Sequence, residues 1–161
     1  MYNVVLLLGS NLGDKKKFLD EAESKIAETI GNITKKSSVY NTEPWGFKHH
    51  EYFYNRILII DTEYTALQVL SSCLTIEKQL GRKRKKGNYE ARTIDIDLIF
   101  YGNEIIRCND LTIPHPQMHL RRFVLEPLCE VAPDMIHPLL YRSVVQLLAE
   151  CTDVSNVERL I

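Results

Sequence analysis

The segment Thr93-Ile94-Asp95-Ile96-Asp97-Leu98-Ile99-Phe100 does most to narrow the folds open to this chain. On a β-strand alternate side chains share a face. Asp95 and Asp97 therefore point the same way, with Cα atoms about 6.6 Å apart, while Ile94, Ile96 and Leu98 fill the opposite face. Two adjacent carboxylates in so apolar a strand repel each other unless something positive lies between them. Mg²⁺ meets that need: it takes one or two carboxylates together with substrate phosphates, and paired ions lie about 3.5–4 Å apart. The competing reading is an edge strand whose polar face meets water.

The rest of the chain supplies partners for that strand. Tyr2 to Leu8 reads as a buried strand ending at Gly9. Gly9 to Asp14 is a turn, with Asp14 placed to cap a helix that carries Phe18, Ala22 and Ile26 and stops before Gly31-Asn32. Ile33 to Tyr40 is expected as a second strand. A Pro44-Trp45-Gly46 loop leads to a third, Tyr52 to Asp61. Thr65 to Leu80 reads as a second helix, ended by Gly81, and Thr93 to Tyr101 as the fourth strand. The order β-α-β-β-α-β predicts an α+β fold with a ferredoxin-like core, an antiparallel sheet with helices packed on one face. The last sixty residues hold a strand-like pair, Glu104 to Arg107 and Leu111 to Ile113, then a Pro/His-rich loop and a helix near Ser143 to Glu150. This elaborated C-terminal third shows no linker, so one domain over 1–161 is expected.

Composition removes several classes. At 45% hydrophobic residues the chain is not disordered, and no run approaches the ~18 apolar residues of a membrane span. With no basic leader, a soluble cytoplasmic protein without a membrane partner is expected. A net charge of -1 argues against a protein held to nucleic acid by bulk electrostatics. Yet Arg82, Lys83, Arg84, Lys85, Lys86 and Arg92 fall within eleven residues, opposed only by Glu90. Such a run is either a solvated loop or a grip on a polyanion. Cys73, Cys108, Cys129 and Cys151 are scattered, as reduced thiols are. His115 and His119, with Pro116 between them and no cysteine nearby, do not make a zinc signature.

Two further departures from core patterning bear on function. Ala66, Val69, Leu70, Cys73 and Leu80 form an apolar helical stripe, and Glu77 falls near its centre, where a carboxylate is costly unless paired. Either Arg82 or Arg84 folds back onto it, or it faces a ligand at the sheet edge. Trp45, Phe47, Phe53 and Phe123 are aromatics in polar surroundings, and Phe53 shares a strand face with Asn55. An aromatic beside an amide suits a flat, hydrogen-bonding heterocycle, although single aromatics are more often core residues. Gly9 to Lys15 is not a P-loop, and no G-x-G-x-x-G, kinase signature or G-x-S-x-G elbow occurs. Phosphate chemistry here must rest on arginines and metal rather than on a glycine cradle.

The motifs Leu8-Gly9-Ser10-Asn11-Leu12-Gly13-Asp14, Tyr40-Asn41-Thr42-Glu43-Pro44 with Phe53-Tyr54-Asn55, Gly81-Arg82-Lys83-Arg84, Arg92-Thr93-Ile94-Asp95-Ile96-Asp97-Leu98 and Ile113-Pro114-His115-Pro116 occur in order along nearly the whole chain. Together they resemble the 6-hydroxymethyl-7,8-dihydropterin pyrophosphokinases of folate biosynthesis. The resemblance implies a ferredoxin-like α+β fold and transfer of pyrophosphate from ATP to the pterin hydroxymethyl oxygen, with AMP leaving. It implies that Asp95 and Asp97 hold two Mg²⁺ ions and that Arg82 and Arg92 neutralise the transferred group. Glu77, Arg84, the Leu98 backbone, Thr112, His115 and Arg121 are implied as further nucleotide contacts. Phe53 and Phe123 are implied to sandwich the pterin, with Asn55 and the loop Thr42, Glu43, Pro44 and Trp45 at its edge. The implied substrates are ATP and the pterin, with no nucleic acid.

Five positions depart from the family pattern. Asn88-Tyr89-Glu90-Ala91 stands where relatives often carry Arg-Trp-Gly-Pro, with Tyr89 in the place of the stacking lid residue, and Leu74 replaces a common glutamine. The segments 42–50 and 82–91 are expected to close over the site and exclude water. Two readings from other classes compete with the enzyme: an RNA-binding module, whose sheet would stack bases on aromatics, and a regulatory ligand-binding domain. Against the first, two strand aspartates repel a phosphate chain unless metal intervenes.

Overall fold

The computed structural model describes residues 1–44, 51–81 and 93–160. Trp45, Phe47, Arg82, Arg84, Asn88, Tyr89, Glu90 and Arg92, singled out above, lie outside the described residues, as does most of each expected lid. The elements are β1 (Tyr2–Ser10), α1 (Lys15–Thr29), β2 (Asn32–Lys36), β3 (Tyr40–Thr42), β4 (Phe53–Thr62), α2 (Ala66–Gln79) and β5 (Asp95–Tyr101). There follow β6 (Ile106–Arg107), β7 (Thr112–Ile113), α3 (Arg122–Val131), α4 (Val144–Glu150) and β8 (Val157–Arg159). The main sheet is antiparallel, with strands in the order β5-β1-β4-β3-β8 and β2 lying against β4 beside β3. β6 and β7 form a separate hairpin.

Helices cover both faces of this sheet rather than the single face expected. Val4, Leu6 and Leu8 of β1, with Leu58, Ile60, Ile96 and Leu98, pack under α1 and α2. Val5 and Leu7, with Ile57, Ile59, Ile99 and Phe100, pack under α3 and α4. Strands buried on two faces read as unbroken apolar runs, and the runs Val4 to Leu8 and Ile57 to Ile60 owe their composition to that burial.

The local chemistry follows the sequence at the caps. Asp14 accepts from the Lys17 amide at 3.2 Å, and Thr65 with Gln68 and Ser143 with Gln146 form capping boxes. The expected strand Ile33 to Tyr40 is instead two pieces, β2 and β3, laid end to end along β4. Ser37 interrupts it. Its hydroxyl accepts from the Ile57 amide at 3.0 Å and donates to the Ser38 carbonyl at 2.7 Å, an alternative to regular strand pairing. The Ser38 amide then donates to Glu130 of α3.

α3 and β8 are absent from the expectation above. Pro127 inside α3 masked the helix, since it removes one internal hydrogen bond, and three-residue β8 is too short to show a period. α3 is fixed by burial of Val124, Leu125 and Leu128 and by Glu130, which accepts from Tyr40 Oη at 2.7 Å and pairs with Arg159 of β8. Leu125 is fully buried in this layer. Leu125→Ala is expected to cost about 2–5 kcal/mol, read as a lower midpoint in urea unfolding at an unchanged slope.

Candidate active site

The strand register assembles a row of side chains at one end of the sheet. Gly9 of β1 pairs with Asn55 of β4 on one side and with Asp95 of β5 on the other, and Asn55 pairs in turn with Tyr40 of β3. Directly paired residues share a face, so Asp95, Asn55 and Tyr40 lie on the side covered by α3 and α4. Asp97 and Phe53, each two residues along its strand from a member of the row, lie on that face as well. Both aspartates are half-buried.

Gly9 is the floor between them. A Cβ added there would lie 2.7 Å from Asn55 Nδ2 and 3.5 Å from Phe53 Cδ1, so the amide and the ring occupy space that any other residue would fill. Asn55 is buried and held from two directions: Nδ2 donates to the Leu8 carbonyl at 3.2 Å, and Oδ1 accepts from Thr42 Oγ1 at 2.5 Å. An amide side chain has two hydrogens and two acceptor lone pairs. One of each is used here, which leaves a donor and an acceptor for a ligand edge. Glu43 turns the other way: its amide donates to the Asn156 carbonyl at 3.1 Å and its carboxylate accepts from the Asn156 amide. That residue ties down the end of β3.

A β-bulge brings the opposite wall. The β1–β5 register shifts between Val5 and Leu6, so Ile99 has no counterpart and both Ile99 and Phe100 enter the α3/α4 core. The Ile99 carbonyl accepts instead from the His115 amide at 3.0 Å. His115 Nδ1 accepts from the Gln117 amide at 3.2 Å, so the neutral ring carries its proton on Nε2. Burial, aided by the Arg121 guanidinium and opposed by Asp95, pushes His115 down to about 4. The same Gln117 accepts from Arg121 Nη2 through its side chain. Arg121, only 7% exposed, stands 5.7 Å from the centre of the Phe123 ring at the start of α3.

The structure thus gathers Asp95, Asp97, Asn55, Phe53, Thr42, His115, Arg121 and Phe123 around one end of the sheet. Leu98 buries its side chain under α1 and α2 and offers only backbone. Thr112 is exposed on β7, paired with Arg107. Pro44 closes the described part of the loop after β3. Glu77 reaches β5 from the other face, its Oε2 accepting from the Ile96 amide at 2.8 Å. The Cys73 thiol, one turn earlier, is pushed up to about 12 by burial first and then by the charges of Glu77 and Asp97. Sequence reasoning missed Gly9 and Gln117 as parts of the site. Gly9 carries a signal, a glycine at the end of an apolar run, but that signal is equally one of turn punctuation. Gln117 carries none.

Among the described residues no three His, Cys, Asp or Glu side chains cluster to hold a metal ion. The donor set is two carboxylates on one strand face. It fits a hard divalent cation whose remaining ligands are phosphate oxygens and water, not a metal caged by protein alone.

The chain is similar to known proteins along most of its length. A family model described as 7,8-dihydro-6-hydroxymethylpterin-pyrophosphokinase (HPPK) matches residues 5–133. A 2-amino-4-hydroxy-6-hydroxymethyldihydropteridine pyrophosphokinase of Methylorubrum extorquens is 40% identical over 137 residues, 84% of this chain and 86% of the relative. One of Aquifex aeolicus is 37% identical over 139 residues, 86% of each chain. The Folic acid synthesis protein fol1 of Pneumocystis carinii is 37% identical over 152 residues, which are 93% of this chain but 20% of that protein. Among solved structures, wild-type HPPK-DHPS of Plasmodium falciparum with pteroate has a TM-score of 0.75 at 15% identity, over 92% of this chain and 44% of that one. This chain therefore spans most of its bacterial relatives, a fifth of the fungal one and under half of the Plasmodium one.

The position of His115 makes stability depend on pH. Folding lowers its proton affinity from an ordinary value of 6.5 to about 4, so between those values the unfolded chain binds more protons. Acidification through that window therefore favours unfolding, and burial of His137 acts in the same direction. The thermal midpoint is expected to fall between pH 6.5 and 4, and to fall less in His115→Asn. An equal fall in the variant refutes the assignment.

Proposed function

This chain belongs to the 7,8-dihydro-6-hydroxymethylpterin-pyrophosphokinase family, and on that premise we propose that it transfers the pyrophosphoryl group of ATP to the hydroxymethyl oxygen of 6-hydroxymethyl-7,8-dihydropterin, releasing AMP, in folate biosynthesis. The observation that carries this reading is the row across the sheet. Two carboxylates of β5 and an aromatic ring with a half-satisfied amide on β4 share one face, and Gly9 between the strands lets the amide and the ring lie close over β1. One side suits a phosphate–metal group and the other a flat heterocycle.

Phe53 and Phe123 sandwich the pterin in this reading. The remaining Asn55 donor and acceptor meet its edge, Thr42 fixes that amide, and the backbone from Thr42 through Pro44 to Trp45 completes the pocket. Glu43 contributes by anchoring the strand end. Asp95 and Asp97 would hold two Mg²⁺ ions, which when bound neutralise phosphate oxygens and orient the triphosphate. Arg121, neutral His115 through Nε2–H, Thr112 and the Leu98 backbone contact the nucleotide. Arg82, Arg84 and Arg92 bring cations to the phosphates, and Tyr89 covers them. The bond formed joins the hydroxymethyl oxygen to the β-phosphorus. The bond broken links that phosphorus to the bridging oxygen that departs on AMP, and the hydroxyl proton passes to solvent. Such transfer depends chiefly on positioning and charge stabilisation, which these residues supply.

The strand order β5-β1-β4 followed by β2 and β3, with α1 and α2 as crossovers, is read here as a ferredoxin-like core, and α3, α4 and β8 as the elaborated C-terminal third of one domain over 1–161. No helix among the described residues is long and apolar enough to cross a membrane, and a cytoplasmic location is part of the proposal.

Incubation with ATP, Mg²⁺ and the hydroxymethyl pterin is expected to yield AMP only when pterin is present. ADP would mark an ordinary kinase, and no turnover a binding module. Asp95→Ala and Asp97→Ala are expected to abolish AMP formation while the protein stays folded, because removing one carboxylate relieves like-charge repulsion. Gly9→Ala, which displaces Asn55, is expected to raise KM for pterin more than KM for ATP. Equal effects on both would separate Gly9 from the pterin side.

A further inference from the structure

Glu77 is 2% exposed in the apolar face of α2, among Val69, Cys73 and Ile76. A buried carboxylate in such a stripe is costly unless it makes a specific hydrogen bond. One such bond runs to the backbone of the sheet. Glu77 Oε2 accepts at 2.8 Å from the backbone amide of Ile96, the residue between Asp95 and Asp97. β5 ends the strand order of the sheet, with β1 on one side only, so alternate amides of β5 point away from the ladder. Ile96 is one of these, and α2 supplies its acceptor.

The consequence is geometric. A peptide group is planar, so fixing the Ile96 N–H fixes the plane that contains the Asp95 Cα and carbonyl. The next peptide carries Asp97. The spacing and direction of both acids are therefore set at their midpoint, from the face of the sheet opposite to the one they occupy. We propose that Glu77 is a positioning residue, holding Asp95 and Asp97 in register through the Ile96 amide, and not a nucleotide contact. The inference rests on the pyrophosphoryl-transfer reading above.

The test uses the full chain and two variants. E77L keeps the apolar volume and removes the acceptor, and E77Q keeps an acceptor oxygen and removes the charge. Two quantities are read: hydrogen exchange of the Ile96 amide without ligands, and kcat with KM for ATP at saturating Mg²⁺. In E77L the Ile96 amide is expected to exchange faster, and kcat to fall by about 10²-fold, the scale of a ~1 Å misplacement, with KM for ATP little changed. E77Q is expected to restore both protection and most of kcat. Should E77L fail to fold, E77Q alone decides, because the claim is that kcat follows Ile96 protection. A variant that keeps protection but loses kcat, or loses protection but keeps kcat, overturns it, as does a loss that falls mainly on KM for ATP. If the unaltered protein forms no AMP, the reaction assigned to the site is at fault, and Ile96 exchange in the two variants still decides whether the tether exists.

Discussion

The pairing of β1 with its two neighbours is the constraint on which the site depends. Val4 to Leu8 are buried on both faces, alternate residues entering different cores. A slip of one residue would move each set of side chains into the wrong layer, so register is strongly specified. The same register sets Gly9 opposite Asn55 and Asp95. The polar row is thus placed by aliphatic packing several residues away as well as by the hydrogen bonds of Asn55 and Tyr40. A glycine near the end of so apolar a strand leaves the space above it to the Asn55 amide and the Phe53 ring.

The two faces of the sheet have different parts in this. Under α1 and α2 lies a largely aliphatic core, and two carboxylates reach the sheet from these helices: Glu23 pairs with Arg56 of β4, and Glu77 accepts from the Ile96 amide of β5. Under α3 and α4 the apolar core includes Leu7 and Ile57 but not Gly9 or Asn55, and the chain entering α3 carries Arg121 and Phe123. The bulge at Ile99 connects the two. It adds one more apolar residue to the α3/α4 core and turns a carbonyl toward His115, so the loop after β7 is attached to the strand that carries the acids. Bulges next to functional sites commonly re-aim side chains in this way.

Much of this is legible in the sequence, for reasons that differ by element. The period of two in β5 is unambiguous because acids and aliphatics alternate, and the capping residues Thr65 and Ser143 mark the starts of their helices. Phe53 and Asn55 are recognisable as a pair because strand spacing alone puts them on one face. What escapes is set by tertiary contact. Nothing local in 33–40 says that Ser37 will bond across to Ile57 and divide the strand. Pro127 argues against a helix that burial of Leu125 and Leu128 nonetheless stabilises. Helices on both faces follow from α3, so missing that helix meant missing the second layer. Gln117 is a bridge between His115 and Arg121 that only the folded loop creates.

The electrostatics of this end of the sheet bear on how, on the proposed function, a polyanion would be received there. A protonated His115 would offset Asp95 directly, but burial and Arg121 keep it neutral, so it contributes a hydrogen bond and no charge. The described side of the site then presents two carboxylates with one guanidinium, a balance that repels phosphate. On the proposed reading, attraction must come from divalent ions placed on the carboxylates and from the basic run. In sequence that run ends at Arg92, three residues before Asp95. The uneven charge of a chain whose total is only -1 has a reading in the sequence: the basic run and the acidic pair lie on adjoining segments, and on the proposed function a triphosphate with its cations would bridge them.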